Sequence, residues 1–141
     1  MRLFYGGAEI NSHRAFLTAN GIKDMSLSYM GLRRRVKFAR PWAVADKFAD
    51  DVHVLLDSGA YSVNEGVASG YELDELASIA TAYEGFVAEN CGRVDAFTEF
   101  DALPLGLDWI AQRRRDLYDD LGDKFLPVWH AESGVDELER M

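Results

Sequence analysis

The chain has 141 residues, 24 Asp and Glu against 15 Lys and Arg, a net charge of -9, and 48% hydrophobic and 12% aromatic residues. That balance excludes a disordered polymer and allows one modest core rather than two domains. It also argues against tight nonspecific nucleic-acid binding, which needs cations to neutralise phosphates, and no apolar run approaches a membrane span.

Read in chain order, Leu3-Phe4-Tyr5 forms a first short strand, and Ser12 caps a helix running to Asn20 with Gly21 as its stop. Met25 to Tyr29 reads as a second strand, and Pro41-Trp42 opens a short helix through Phe48. The triplet Arg33-Arg34-Arg35 falls in the connection or in a first turn. Val52 to Leu56 is a third strand; in Glu72 to Asn90, Leu73, Leu76, Ile79, Tyr83 and Phe86 recur at helical spacing, the mark of a core-facing stripe. Val94 to Phe97 and Phe125 to Trp129 supply strands four and five, separated by a helix through Leu107, Ile110, Leu117 and Leu121 that Gly122 stops. Val135 to Met141 looks like a helix barely begun, as in a truncated chain.

Alternating strands and helices predict an α/β fold with a parallel sheet, because parallel neighbours need a crossover and the crossover is usually helical. Five units of about 30 residues fit either a partial (β/α)8 TIM barrel, which takes ~250 residues when closed, or an open five-stranded flavodoxin-like sheet. The single cysteine, Cys91, offers neither an internal disulfide nor a cysteine zinc cage and reads as a small half-buried hydrophobe. With no signal-peptide pattern after Met1, the chain reads as cytoplasmic, and no membrane partner is expected.

In either architecture the carboxyl ends of the strands form the functional edge. Glu9, Ser12 and His13 follow strand one, Tyr29 strand two, Asp57-Ser58-Gly59-Ala60-Tyr61-Ser62 strand three, Glu99 and Asp101 strand four, and His130 and Glu132 strand five. Asp57 is the foremost catalytic candidate. It ends the apolar run Val54-Leu55-Leu56, and desolvation raises a carboxyl pKa while nearby amides lower it. A turn-forming aspartate is the bland alternative. Ser58 and Gly59 allow close approach of a ligand, Tyr61, Tyr29 and Trp129 could stack on a planar one although aromatics in such strands are more often core, and His130 reads as a hydrogen-bonding residue on the pocket floor. Glu99 and Asp101, two apart, share a side while strand geometry lasts, one facing the pocket and the other pairing with an arginine. Arg113-Arg114-Arg115, like the first triplet, reads as a solvated helix face or an ion-pair source rather than a phosphate contact, and His53 as structural. The histidines are too few and too loosely spaced for a metal signature, so no metal site is expected within the chain.

The segment Leu55-Leu56-Asp57-Ser58-Gly59-Ala60-Tyr61-Ser62 resembles the D-S-G-G-F-Q segment of tRNA-guanine transglycosylases (queuine tRNA-ribosyltransferases). Phe97-Thr98-Glu99-Phe100-Asp101 resembles their following strand, and the Phe4-Tyr5-Gly6-Gly7-Ala8-Glu9 opening is similar to phage-type relatives that insert 7-deazaguanine bases into DNA. The resemblance implies the N-terminal half of a (β/α)8 barrel and base exchange on tRNA or DNA. Asp57 would be the acid/base carboxylate, Asp101 would bond the purine-like base, and Ser58 and Gly59 would line the pocket. Ala60 and Ser62 depart from the family's glycine and glutamine. The family's nucleophilic aspartate and zinc site lie in later strands, so no cofactor is expected within this chain and zinc only in the missing part. Such a half-barrel would not catalyse alone, and its open edge calls for a homo-oligomer or a partner chain. Two other classes compete: a noncatalytic truncated barrel acting as a binding or structural protein, and a receiver-like phosphoacceptor domain with Asp57 as acceptor. Gly6-Gly7-Ala8 stands where a receiver holds its acidic pair, and His130 where it holds a lysine.

Overall fold

The computed structural model describes residues 2–36, 43–64 and 70–139. Four parallel strands lie side by side in chain order: β1 (Asp24–Ser28), β2 (His53–Asp57), β3 (Ala96–Thr98) and β4 (Phe125–Leu126). Helices α1 (Asn11–Ala19), α2 (Tyr29–Val36), α3 (Tyr61–Asn64), α4 (Leu73–Asn90), α5 (Leu107–Leu121) and α6 (Val135–Leu138) alternate with them. The α/β class and the open parallel sheet are as the sequence predicts. A flavodoxin-like order, in which the chain reverses around its first strand, is not what forms: β1 pairs directly with β2, and Tyr5 bridges Met25 on the far side of β1.

Sequential winding has a physical consequence. With right-handed crossovers, every helix is carried to the same face of the sheet. Burial alternates accordingly: Met25, Leu27, Val54, Leu56 and Phe97 are buried, whereas Ser26, Ser28, Leu55, Asp57, Ala96 and Thr98 are only half-buried. The register places Leu27 beside Leu56, Leu56 beside Phe97, and Phe97 beside Phe125, so one face carries a continuous apolar row. Each large side chain fully buried there contributes about 1.5–3 kcal/mol. The opposite face carries Ser28 beside Asp57, and Thr98 beside Leu126.

α4 supplies most of the cover. Leu76, Ile79, Ala80, Tyr83, Phe86 and Val87 form its buried stripe, and Asp74 and Glu75 in the first turn complement the helix dipole. Leu73, expected in that stripe, is exposed because it occupies the first position, before the helix meets the sheet. The Tyr83 hydroxyl donates to the Thr98 carbonyl at 2.6 Å, which ties α4 to the end of β3. α5 adds Ile110 and Leu117, and its Arg113 pairs with Glu84 of α4.

Several local expectations are corrected. Leu3 to Tyr5 contributes a single bridge rather than a strand. Ser12 lies inside α1, whose N-cap position is Ile10 without a side-chain cap; Arg14 instead braces this turn through the Ala8 carbonyl and Asn11. The Arg33 triplet belongs to α2 rather than to a connection. The helix opening at Pro41-Trp42 lies outside the described residues; within them, Val44–Asp46 form a 3-10 turn. Gly21 and Gly122, both at positive φ, follow α1 and α5 as predicted. Among the described residues no helix is long and apolar enough to cross a membrane.

Candidate functional site

The carboxyl ends of β2 and β3 bring Asp57 and Asp101 into electrostatic reach of each other, with Glu9 and His130 beside them. Asp57 is the last residue of β2 and stands on the half-covered face. Burial pushes its pKa up; the Gly59 amide opposes this, the Asp101 charge adds to it, the Thr98 hydroxyl opposes it again, and Glu9 adds to it. Asp101 is also raised by burial, against its own amide, the His130 imidazole and the Arg114 guanidinium. Both carboxyls are thus raised chiefly by burial; Asp57 lies near the acidic Asp101 and Glu9, whereas Asp101 also has His130 and Arg114 beside it.

Asp101 is held firmly. Its carbonyl accepts from Asn64 Nδ2 at 3.0 Å, and Asn64 Oδ1 accepts from the Leu103 amide at 2.8 Å, so α3 clamps the loop after β3 from both sides. His130 Nε2 lies 3.0 Å from Asp101 Oδ2. No well-formed hydrogen bond satisfies that buried nitrogen.

The remaining expected site residues divide. Ser58 is buried as structure: its amide donates to Thr98 Oγ1 at 2.9 Å, and its Oγ accepts from the Ala60 amide. Gly59 admits close approach, but of Met30 and Ser28 rather than of a ligand, since a Cβ there would stand 2.7 Å from each. Glu99 is corrected from a pocket residue to a buried ion pair. Arg114 grips it bidentately at 2.8 and 3.0 Å, and the Val128 amide donates to it at 2.7 Å. Tyr29 is corrected likewise: it is the first residue of α2, buried against Tyr83 and Phe86 at ring separations of 5.2 and 5.5 Å. Tyr61 is 72% exposed and packs into no wall. Ser12, His13 and Glu132 are exposed, while Glu9 turns inward and accepts from the Ser28 amide at 3.3 Å.

Asn64 and Thr98 are the participants that residue-type reasoning missed. Neither stands in an ionisable run, yet Asn64 clamps Asp101 and Thr98 faces Asp57 and Ser58. The position of Thr98 two residues after Ala96 on one strand face was the available signal. At the opposite end of the sheet, His53 bonds Asp95 at 2.9 Å and Asp95 receives the Val54 amide, which makes His53 structural as expected. Cys91 is half-buried at the end of α4, where its carbonyl accepts from Lys124 Nζ. Among the described residues no cluster of three or more His, Cys, Asp or Glu has metal-holding geometry.

Chemically, the site offers two carboxyls that burial pushes towards their neutral forms, and an imidazole against one of them. Such a set suits proton transfer to and from a bound heterocycle. Compared with protein-family models, with curated proteins and with solved structures, the chain matches none.

Proposed function

We propose that the chain is the base-binding half of a transglycosylase-like barrel, which exchanges a 7-deazaguanine-type base on tRNA or DNA when the remaining strands and the nucleophile are supplied. The observation that carries this reading is the approach of Asp57, at the end of β2, to Asp101, in the loop that follows the adjacent parallel strand β3, both carboxyls being withdrawn from water. The sequential strand order supports the barrel part, since closing such a sheet turns the half-buried face, with Ser28, Asp57 and Thr98, into a lumen. Asp57 would handle the proton of the departing base and Asp101 would read its edge. Zinc and any metal chemistry belong to the missing strands in this reading, and the chain works in the cytoplasm.

Asp57→Asn tests it with two readouts of opposite sign. Binding of a free 7-deazaguanine base, followed by calorimetry, should weaken about ten- to a hundredfold, the scale of one hydrogen bond to a charged group. Stability should rise by about 0.5–2 kcal/mol at neutral pH, since a site held against its own stability is relieved. The sign follows from the raised pKa of Asp57. Its neutral form favours folding fully below the ordinary carboxylate value, and this contribution is lost as pH rises through the elevated folded value. The gap between variant and parent melting temperatures should therefore widen from about pH 4 to pH 7. Unchanged base binding in the variant overturns the assignment.

A noncatalytic binding or structural role is favoured by a different observation: the exposed Leu126 on the edge strand β4 and the exposed Trp129, Val135 and Leu138 that follow it. Either reading requires that edge to be covered, by a second copy or a partner chain. Sedimentation velocity on the 141-residue chain should show a dimer or larger species; a monodisperse monomer removes the need for a cover.

A further inference from the structure

We propose that two copies of this chain associate head to tail. Residues 3–6 of one copy lie as an added parallel strand beside β4 of the other, and two such junctions close a ring of strands about a two-fold axis. The proposal goes beyond the base-exchange reading and does not depend on it.

The two outer edges of the sheet offer different groups. Across a trans peptide, a C=O and the next N–H point opposite ways. Leu126 pairs with β3 and the Val128 amide donates to Glu99 Oε1, so the Phe125 and Pro127 carbonyls face away from β3. No amide accompanies them: the Phe125 N–H turns back to the Gly122 carbonyl, and Pro127 has none. Two β4 edges laid together would set carbonyl against carbonyl, which excludes a self-paired edge. Beyond β1 the edge differs. The Tyr5 amide donates to the Asp24 carbonyl at 3.1 Å and the Tyr5 carbonyl accepts from the Ser26 amide at 2.8 Å, so the Gly6 N–H points outward. It has no partner among the described residues. One edge accepts and the other donates.

The side chains agree with the backbone. A parallel pairing that brings the Gly6 amide to the Pro127 carbonyl sets Leu3 beside Phe125, Phe4 beside Leu126 and Tyr5 beside Pro127. Tyr5 bridges Met25, so it stands on the helix-bearing face, and Leu3, two residues back, shares that face with the buried Phe125. Leu3 and Tyr5 are 67% and 44% exposed, because no helix of their own copy covers them. A right-handed crossover carries α6, which follows β4, over the same face, and its exposed Val135 and Leu138 then cover Leu3 and Tyr5 of the second copy. Charge fits this order as well. The exposed acids Glu132, Asp136 and Glu139 border the α6 patch, whereas Arg2, exposed although it touches Asp95, borders the Leu3 patch. Joining unlike ends brings opposite charges together, and joining two α6 ends would oppose like charges.

Sedimentation equilibrium of the intact chain should show two copies. Leu3→Asp and Leu138→Asp alter exposed side chains at opposite ends, so each monomer keeps its fold, which circular dichroism checks. Each should weaken the pair about a hundredfold or more, because the lost burial counts at both junctions. Leu73→Asp, at an equally exposed position that starts α4 away from both outer edges, should leave the pair unchanged. Mixing Leu3→Asp with Leu138→Asp should restore part of the association, since one junction then joins an unaltered opening segment to an unaltered β4 end; a self-paired patch gains nothing from mixing. A monomer in the parent, growth beyond two copies, a pair indifferent to both substitutions, an equal loss in Leu73→Asp, or no recovery on mixing overturns the proposal. The base-exchange reading fails separately, through unchanged base binding in Asp57→Asn, and either result can occur without the other.

Discussion

Glu99→Ala is expected to destabilise the chain by about 3–5 kcal/mol, a large fraction of the 5–15 kcal/mol that holds a domain of this size together. Glu99 is 2% exposed and Arg114 is also largely withdrawn from water, its side chain 14% exposed. Both carboxylate oxygens are engaged by the guanidinium, and one also receives the Val128 amide. Arg114 in turn donates to the Val128 carbonyl at 3.1 Å, so the pair fastens α5 to the chain emerging from β4. Removing the carboxylate leaves a desolvated guanidinium and the Val128 amide without the acceptor they share. The cost comes from this abandonment rather than from the worth of the pair itself, which the desolvation of both ions largely offsets. A double replacement, Glu99→Met with Arg114→Met, should therefore unfold at higher urea than Glu99→Ala alone. A loss below about 1 kcal/mol in Glu99→Ala would show that water reaches the pair and screens it.

The same pair explains what was legible in the sequence and what was not. Hydrophobic period gave the strands at Met25, Val52 and Phe125 and the long helix α4, because one face of each element must be apolar wherever it packs. Strand ends were less legible, since a ladder stops when its backbone groups find other partners. Phe125 to Trp129 has the composition of a strand, but only Phe125–Leu126 pair, and the Val128 amide donates to the Glu99 side chain. Period-two reasoning put Glu99 and Asp101 on one side. β3 ends at Thr98, after which the chain turns, and the two acids part company: one goes to Arg114, the other to His130. That a residue of this segment would pair with an arginine was readable from composition; which one was not, since the partner comes from the following helix. Tyr29 shows the same boundary effect. Placed at the end of β1 it would project at the rim, but as the first residue of α2 it turns into the aromatic cluster with Tyr83 and Phe86. Asp57 stands where its sequence put it because a carboxylate ending an apolar strand has only the carboxyl rim to occupy.

Gly59→Ala should cost about 2–5 kcal/mol, with the loss arising beside Asp57. Gly59 has φ +76, a left-handed conformation that costs an L-residue roughly 1–2 kcal/mol. Crowding adds about 1–3 kcal/mol, because the new methyl would meet Met30 Cβ and Ser28 Oγ, each at 2.7 Å. Neither neighbour yields freely. Met30 is 1% exposed and its amide donates to the Ser58 carbonyl, while Ser28 Oγ accepts from the Gly31 amide at 3.3 Å. The end of β2 and the start of α2 are thus locked together through a position that admits no side chain. The glycine of the Asp-Ser-Gly segment is accordingly required by packing whether or not a ligand ever approaches it. Gly21→Ala separates the two terms: φ there is +72, close to that of Gly59, but nothing lies within 4 Å of the added carbon. It should lose only the conformational part, roughly 1–2 kcal/mol. Chemical denaturation of both variants reads the difference directly, and equal losses would mean that the crowding at Met30 and Ser28 relaxes without cost.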